Sequence, residues 1–562
     1  MIGFLRRILP IGIVILLSFW AVKPFLHPGF FPMHDDTQVA RVYEMTQALI
    51  SGQFPVRWVQ DLGYGYGYPI FNFYAPLPYY IGASFNLLGF DLLVATKIMF
   101  LFGIILAAIT MFLLLKKLVG EVGAMVGSVL YMYAPYHAVD IYVRGAVGEL
   151  YVFAFLPLIL LGILKIVNNK EKSRLKEGII FGSIGISGVL LSHNILGMIT
   201  GYILLLGLLI YFIVLIKRKK KLSVICYMLY VICLGFGLSS FFVLPAIFEK
   251  DFTRVNELVT ASSHFSNHFV YLDQLWSSPW GYAGSAPGRL DGMSFMIGKI
   301  HILLGFLSIP IILLFYKRKK ITNFQFLPQR FAIYISMLVV FLFSVFLMLE
   351  QSKFIWDLLP GFSFIQYPWR FLVFTTLSLS IMISIAFVFL NRLKQIIIGV
   401  FLIVLIVGFN SKYFIPKEYL SLTAKDYTDG SNLRFKISKI SDEYLPKDFT
   451  IPKSAQNISW QGISDTQNLK IIDSKENPTK KIYNVESAYT NNLQTNITYF
   501  PGWKLKIDGV NTNIYSKEGR IGFIIPAGKH SIELILRDTP IRLISNIISI
   551  LSLFLVIYII VF

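Results

Sequence analysis

Two adjacent carboxylates, Asp35 and Asp36, stand in the run Met33-His34-Asp35-Asp36-Thr37, just after a hydrophobic N-terminal stretch. Paired carboxylates support three kinds of work. One of them can take a proton as a general base. Together they can hold Mg²⁺ or Mn²⁺. Or one simply caps a helix, because Asp is a favoured N-cap and Val39, Val42, Tyr43, Leu49 and Ile50 mark an amphipathic helix starting just beyond. His34 is adjacent and can orient either carboxylate. Downstream lies an aromatic, Gly/Pro-rich run from Tyr64 to Tyr80, whose glycines favour a loop over a helix.

The elements that must position these residues are almost all apolar. The chain has 562 residues, 55% of them hydrophobic, and a mean hydropathy of +0.65, which excludes an ordinary soluble globular protein. Apolar segments long enough to cross a hydrocarbon core of about 30 Å recur from end to end. They lie near 8–26, 93–115, 121–137, 149–167, 176–192, 194–216, 222–246, 299–316, 330–349, 370–390, 395–411 and 541–561, giving about twelve transmembrane helices. The formal charge of +20 is held in short basic clusters between these segments, among them Lys116-Lys117, Lys217 to Lys221, Lys317 to Lys320 and Arg392 with Lys394. That is the bias of cytoplasmic loops, so no nucleic-acid partner is expected. The basic N-terminus with Arg6-Arg7 reads as an uncleaved anchor.

The segment 73–91 is apolar enough to span but carries Pro76, Pro78 and several Tyr residues. If it spans, every basic cluster from Lys116 to Lys394 lands outside. If it lies in the interface, all of them fall inside with both termini. The second arrangement is the expected one. It divides the chain into a transmembrane domain over 1–411 with an external loop at 27–92, an extracytoplasmic domain over 412–540, and a final helix over 541–562. The 412–540 segment reads as β. Thr495 to Asp508 alternates, Asp508-Gly509 and Ala527-Gly528-Lys529 are turn signals, and Ile521–Ile525 and Ser531–Leu536 supply strands. A β-sandwich or jelly-roll-like domain is expected, with a binding or structural role. Cys226 and Cys233 offer no disulfide framework. His264 and His268 share a helix face without a nearby Glu to complete a metal motif.

Several blocks resemble a known family. They are His34-Asp35, Arg41, Ser51-Gly-Gln-Phe-Pro-Val-Arg-Trp58, Gly63-Tyr-Gly-Tyr-Gly-Tyr-Pro69, Phe73-Tyr-Ala-Pro-Leu77, Arg144-Gly-Ala146 with Glu149, and Tyr367-Pro-Trp-Arg-Phe-Leu372. Together they resemble the bacterial membrane proteins grouped under a 6-pyruvoyl-tetrahydropterin-synthase-related domain. The pterin in that name carries no evidence of pterin chemistry here. The tail Tyr499-Phe-Pro-Gly-Trp503 with Pro526-Ala-Gly-Lys-His530 is similar to the C-terminal domain of YfhO-type proteins. Both groups look like members of the glycosyltransferase C (GT-C) superfamily. Many members of that superfamily have Asp-Glu where this chain has Asp35-Asp36.

That resemblance implies transfer of a sugar from a polyprenyl-phosphate-linked donor, at the outer membrane face, to a glycan, glycolipid, wall polymer or protein acceptor. Asp35, ahead of Asp36, would then take the acceptor's proton. Arg144, Arg289, Arg370 and Lys299 would bind donor phosphate, for which Arg is well suited, and Arg41 is counted among the substrate-binding residues. Glu149 and His193 would complete the substrate site, and Trp58 with the Tyr64–Tyr80 run could stack on sugar faces.

Each residue also has a plainer reading. Arg370 opens a span and can be an interfacial anchor. Arg144 can pair with Glu149 across a turn. His193 can cap a helix end. Aromatic belts are common at membrane interfaces anyway. A transporter or flippase of lipid-linked sugars is the main alternative. It would call for ionisable groups near the midplane and repeated halves, whereas the carboxylates here cluster outside the spans. A non-catalytic scaffold carrying an extracellular β-domain is the third reading.

Overall fold

The structure is a computed structural model and describes residues 2–168, 171–217, 223–259, 263–317, 327–459, 462–463 and 468–562. The expected basic clusters at Lys217–Lys221 and Lys317–Lys320 therefore lie almost wholly outside the described residues.

Among the described residues, nine helices are long and apolar enough to cross a membrane, running from Leu92–Val119 to Pro540–Val561. Two of the other three expected spans take different forms. The first is a pair of helices, Ile8–Leu17 and Phe19–Leu26, bent by 47°. The expected span 299–316 is a helix over Lys299–Lys317. The segment 121–137 becomes a helix of only 12 residues, Glu121–Met132. Pro135 explains this, since the residue before a proline is driven out of the helical region. Ala134 is accordingly extended, with ψ 137°. The chain then turns through Pro135–Ala138 and a π-helical turn, Val139–Arg144.

Local chemistry sets the helix limits. Asp91 caps the Leu92–Val119 helix by accepting from the Leu93 amide at 2.9 Å. Gly120, at φ 83°, ends it just after Lys116 and Lys117, whose charges suit a helix C-terminus. The span Pro368–Phe389 is 94% buried and forms the centre of the bundle. The helix within 73–91 covers only Leu77–Leu87, 11 residues. At 1.5 Å per residue that is about 16 Å, too short to cross.

The β-domain consists of β1 (Leu469–Asn477), β2 (Lys480–Ser487), β3 (Asn491–Thr498), β4 (Trp503–Ile507), β5 (Val510–Thr512), β6 (Tyr515–Lys517), β7 (Arg520–Ile525) and β8 (Gly528–Leu536). They form two antiparallel sheets, one ordered β1-β2-β8-β4-β5 and the other β3-β7-β6. Tyr483, Val485, Leu505, Ile532 and Leu534 of the first sheet share a core with Ile497, Ile521, Phe523 and Ile525 of the second. Asp508-Gly509 makes the β4–β5 hairpin, with both residues at positive φ. Ala527-Gly528-Lys529 instead carries the chain from β7 in one sheet to β8 in the other. The stretch 412–459 carries no strand, only an isolated bridge pair or two and short helical turns such as Ala424–Thr428 and Asn432–Ile437.

The β-domain is locked to the bundle. Glu249, 3% exposed, accepts from Asn72 Nδ2 at 2.8 Å, Thr539 Oγ1 at 2.7 Å and Arg542 Nε at 3.0 Å. Arg57 extends the network by donating to Asn72 and to Asn546 of the last helix, at 3.1 and 2.9 Å. Burying such charges is tolerable only because each finds several partners.

Candidate functional site

The segment holding the paired carboxylates is fixed by its backbone. The amides of His34 and Asp35 donate to the carbonyls of Val143 and Arg144, both at 3.0 Å. The Gln38 side chain adds a bond to the Gly145 carbonyl at 2.9 Å. Gly145 is left-handed, with φ 66°, and a Cβ there would fall 2.1 Å from Met33 Sδ. Only glycine allows the two segments to lie this close. The turn that ends the shortened 121–132 helix therefore serves as a platform for Asp35.

Neither carboxylate caps the helix that follows. Gln38–Ile50 starts at Thr37 with no side-chain cap. Asp36 is half-buried beside Tyr427, and desolvation pushes its pKa up to about 6. Asp35 is also half-buried. Among the described residues its carboxylate has no hydrogen-bond or ion-pair partner, while the charges of Arg41 and the ring of Tyr79 act on it electrostatically. The two neighbours thus differ in what they face: Asp36 lies beside Tyr427, and Asp35 lies near Arg41 and Tyr79.

Arg41 is 4% exposed and has no carboxylate within ion-pair distance among the described residues. Its guanidinium donates to Tyr79 Oη at 3.2 Å and Ser441 Oγ at 3.0 Å, and it lies 4.1 Å from the centre of the Tyr74 ring. Its Nε has no partner. A buried cation held by neutral groups is an anion-binding arrangement in need of an anion.

Next to this lies a buried ionic cluster centred on Glu149 in the first turn of the Val147–Val167 helix. Arg144 Nη2 reaches Glu149 Oε1 at 2.7 Å, and Arg370 Nε reaches the same oxygen at 3.1 Å. Tyr136 donates to Oε2 at 2.7 Å, and His193 Nε2 stands 3.6 Å from Oε1. Arg144 also bonds Asp140 at 2.5 Å and lies 4.4 Å from the centre of the Trp369 ring. The plain pairing of Arg144 with Glu149 is therefore present within a larger network. Arg370 is not a surface anchor. It is 8% exposed, and Nη1 donates to the Ile365 carbonyl at 2.7 Å. No protein group accepts from its Nη2 among the described residues. His193 caps as well, Nδ1 accepting from the Leu196 amide at 3.3 Å.

Two expected site residues lie elsewhere. Arg289 is exposed, pairs with Asp273 at 2.6 Å and packs on the Tyr271 ring. Trp58 is not a sugar platform. It is 1% exposed, meets Trp503 edge-on at 5.4 Å and belongs to the β-domain core with Phe73. The Tyr64–Tyr80 run is buried in the same way, with Tyr64, Tyr68 and Tyr79 all 0% exposed. Gly67, at φ 83°, lets the run turn directly against Trp58, where a Cβ would sit 2.4 Å from the indole. Thr498 of β3 bonds the Tyr66 and Gly67 carbonyls. Trp58 and Phe73 dock the loop on the β-domain, while Tyr64, Tyr68 and Tyr79 pack in the larger core of the bundle.

Tyr427, Tyr136 and Asp140 join the site without having been singled out in the sequence, and Tyr79 and Trp369 join it from within the aromatic run and the Tyr367–Leu372 block. Of the first three, Asp140 alone left a trace in the sequence, four residues before Arg144 in an otherwise apolar stretch. Among the described residues, no three His, Cys, Asp or Glu side chains converge on one point. Asp35 and Asp36 offer only two carboxylates, so the donor set does not build a Mg²⁺ or Mn²⁺ cage.

Fold and site together define a multi-pass helical membrane protein with a β-domain docked on its loop-rich end. Residues 71–415 match the model of the family described as 6-pyruvoyl-tetrahydropterin synthase related domain, membrane protein, and the chain belongs to that family. The search of curated proteins gave no match. Among solved structures, the chain is similar to ArnT from Cupriavidus metallidurans bound to undecaprenyl phosphate, at 14% identity and a TM-score of 0.39, covering 78% of this chain and 77% of that one. It is also similar to the Archaeoglobus fulgidus oligosaccharyltransferase in complex with Zn and sulfate, at 12% identity and a TM-score of 0.33, covering 77% of this chain and 53% of that one.

Proposed function

We propose that this protein is an inverting GT-C-type glycosyltransferase that moves a sugar from a polyprenyl-phosphate-linked donor to an acceptor hydroxyl at the extracytoplasmic membrane face. Both termini lie in the cytoplasm in this reading. The observation that carries it is the unpaired, half-buried carboxylate of Asp35, anchored through its own amide to the Arg144 carbonyl and acted on by the charge of Arg41. The donor class comes from the family resemblance of the sequence. The acceptor is a glycan, glycolipid or protein.

The chemistry follows from the groups present. Asp35 takes the proton of the acceptor hydroxyl as that oxygen attacks the anomeric carbon. The bond from that carbon to the phosphate oxygen breaks, and its electron pair leaves with the polyprenyl phosphate. Negative charge grows there in the transition state, where preorganised cations are most effective. Arg41 and Nη2 of Arg370 are the cationic donors with capacity to spare, while Arg144 is occupied by Glu149 and Asp140. Asp36, beside Tyr427, positions the loop.

The test is incubation of purified full-length protein in lipid nanodiscs with a polyprenyl-phosphate sugar and a panel of glycan, glycolipid and peptide acceptors. Release of polyprenyl phosphate together with a glycosylated product is expected. Movement of labelled lipid-linked sugar across a vesicle membrane without transfer would instead make the protein a transporter.

A further inference from the structure

A second polar site lies away from the carboxylate pair, where the Gln38–Ile50 helix meets the tip of the β1–β2 hairpin. It is a cavity of about 320 Å³, within the range of small-ligand sites. Its lining includes Glu44, Gln47, Gln60, Asp61, Glu476 and Asn477.

Glu44 is the unusual member. It is 1% exposed, and its Oε1 has no hydrogen-bond partner. The backbone amides of Gln60 and Asp61 stand beside the carboxyl, and an Oε1 left unsatisfied is costly to bury unless a further partner reaches it. Burial and the charge of Asp61 push its pKa well up. Asp61 is held by Arg434 at 2.8 Å, and Glu476 by Lys481 and Tyr483, both at 2.9 Å. Among the described residues, the amide groups of Gln47 and Gln60 make no side-chain bond.

No Lys or Arg lines the cavity. The C-terminus of the helix, with its outward carbonyls, adds partial negative charge at the rim near Ile50 and Ser51. Phosphate, sulfate and uronate are therefore disfavoured. Carboxyl and amide groups that exchange hydrogen bonds with hydroxyls or accept from an amine are the complement, and Tyr43 on the same wall gives an apolar ring face.

We propose that this cavity binds an uncharged or amine-bearing sugar unit of an extended glycan acceptor. Along the helix it lies about 12 Å from Asp36, so it holds a unit remote from the reacting hydroxyl. Contacts remote from the chemistry can be used to position the reacting group. The proposal rests on the glycosyltransferase reading for its purpose, though not for its ligand.

The experiment uses the full-length protein in nanodiscs on an array of neutral, amine-bearing and uronic or sialic oligosaccharides, with wild type, Glu44→Gln and Gln47→Trp compared. Gln47 is exposed, so its replacement fills the cavity without disturbing the core. Saturable binding of neutral or amine-bearing glycans is expected, with no binding of the anionic ones. Gln47→Trp should weaken it at least tenfold. Equal binding of anionic glycans, binding unchanged in Gln47→Trp, or no binding at all would overturn the proposal. Binding with the expected selectivity in a protein that transfers no sugar would uphold the site and overturn the function proposed above.

Discussion

The amide of Asp35 donates to the carbonyl of Arg144 at 3.0 Å. With the His34 amide and the Gln38 side chain it joins two stretches more than a hundred residues apart and sets the Asp35 backbone against the turn that carries Arg144. Gly145 makes the approach possible and the π-helical turn before it supplies the carbonyl.

The Arg144–Glu149–Arg370 cluster is a stability element as well as a site. Glu149→Ala leaves Arg144 and Arg370 buried without their shared carboxylate. Removing one partner of a buried pair costs about 3–5 kcal/mol. The expected result is a clear drop in the thermal unfolding temperature of the detergent-solubilised protein. Arg370→Lys keeps the charge but loses the planar fork, and transfer should fall at least tenfold in a protein that still folds.

Asp36 sets a pH dependence of stability. Its folded pKa of about 6 lies above its ordinary 3.8, so the native state holds this proton more tightly than the unfolded chain does. The associated stability is present at low pH and is lost as pH rises from about 4 to about 6, by at most about 3 kcal/mol. Asp36→Asn should remove that loss. The variant is expected to unfold no earlier than wild type at pH 7, and to keep its transfer rate within tenfold. Thermal melts between pH 4 and 7 check the first point.

Glu249 clamps the last helix and the β-domain to the bundle. Glu249→Ala strands Arg542, which is 1% exposed, and removes the bonds to Asn72 and Thr539. Limited proteolysis should then release the 468–562 region, which wild type resists under the same conditions.

Much of the fold was legible because its signals are local. Long apolar runs mark most of the spans, and the alternating residues with Asp508-Gly509 mark the β4–β5 hairpin. The shortened helix at 121–132 needed more weight on Pro135, which stops it. Ala527-Gly528-Lys529 has turn chemistry, but local sequence does not say whether a turn closes a hairpin or changes sheets. Arg144 and Glu149 sit five residues apart and could be paired on sight. Arg370 joins them from 221 residues away, and Tyr427 lies beside Asp36 from farther still. Trp58 looked like an interface aromatic because composition does not reveal whether a ring faces solvent or Trp503.

The central claim is that Asp35 takes the acceptor's proton. Its most direct test is the initial rate of polyprenyl phosphate release coupled to product, measured side by side for wild type and Asp35→Asn at pH 7 in nanodiscs. Loss of a positioned general base removes roughly 10²–10⁴ in rate. The account predicts a loss of that size in a variant with an unchanged melting temperature. Turnover of Asp35→Asn at the wild-type rate would contradict it.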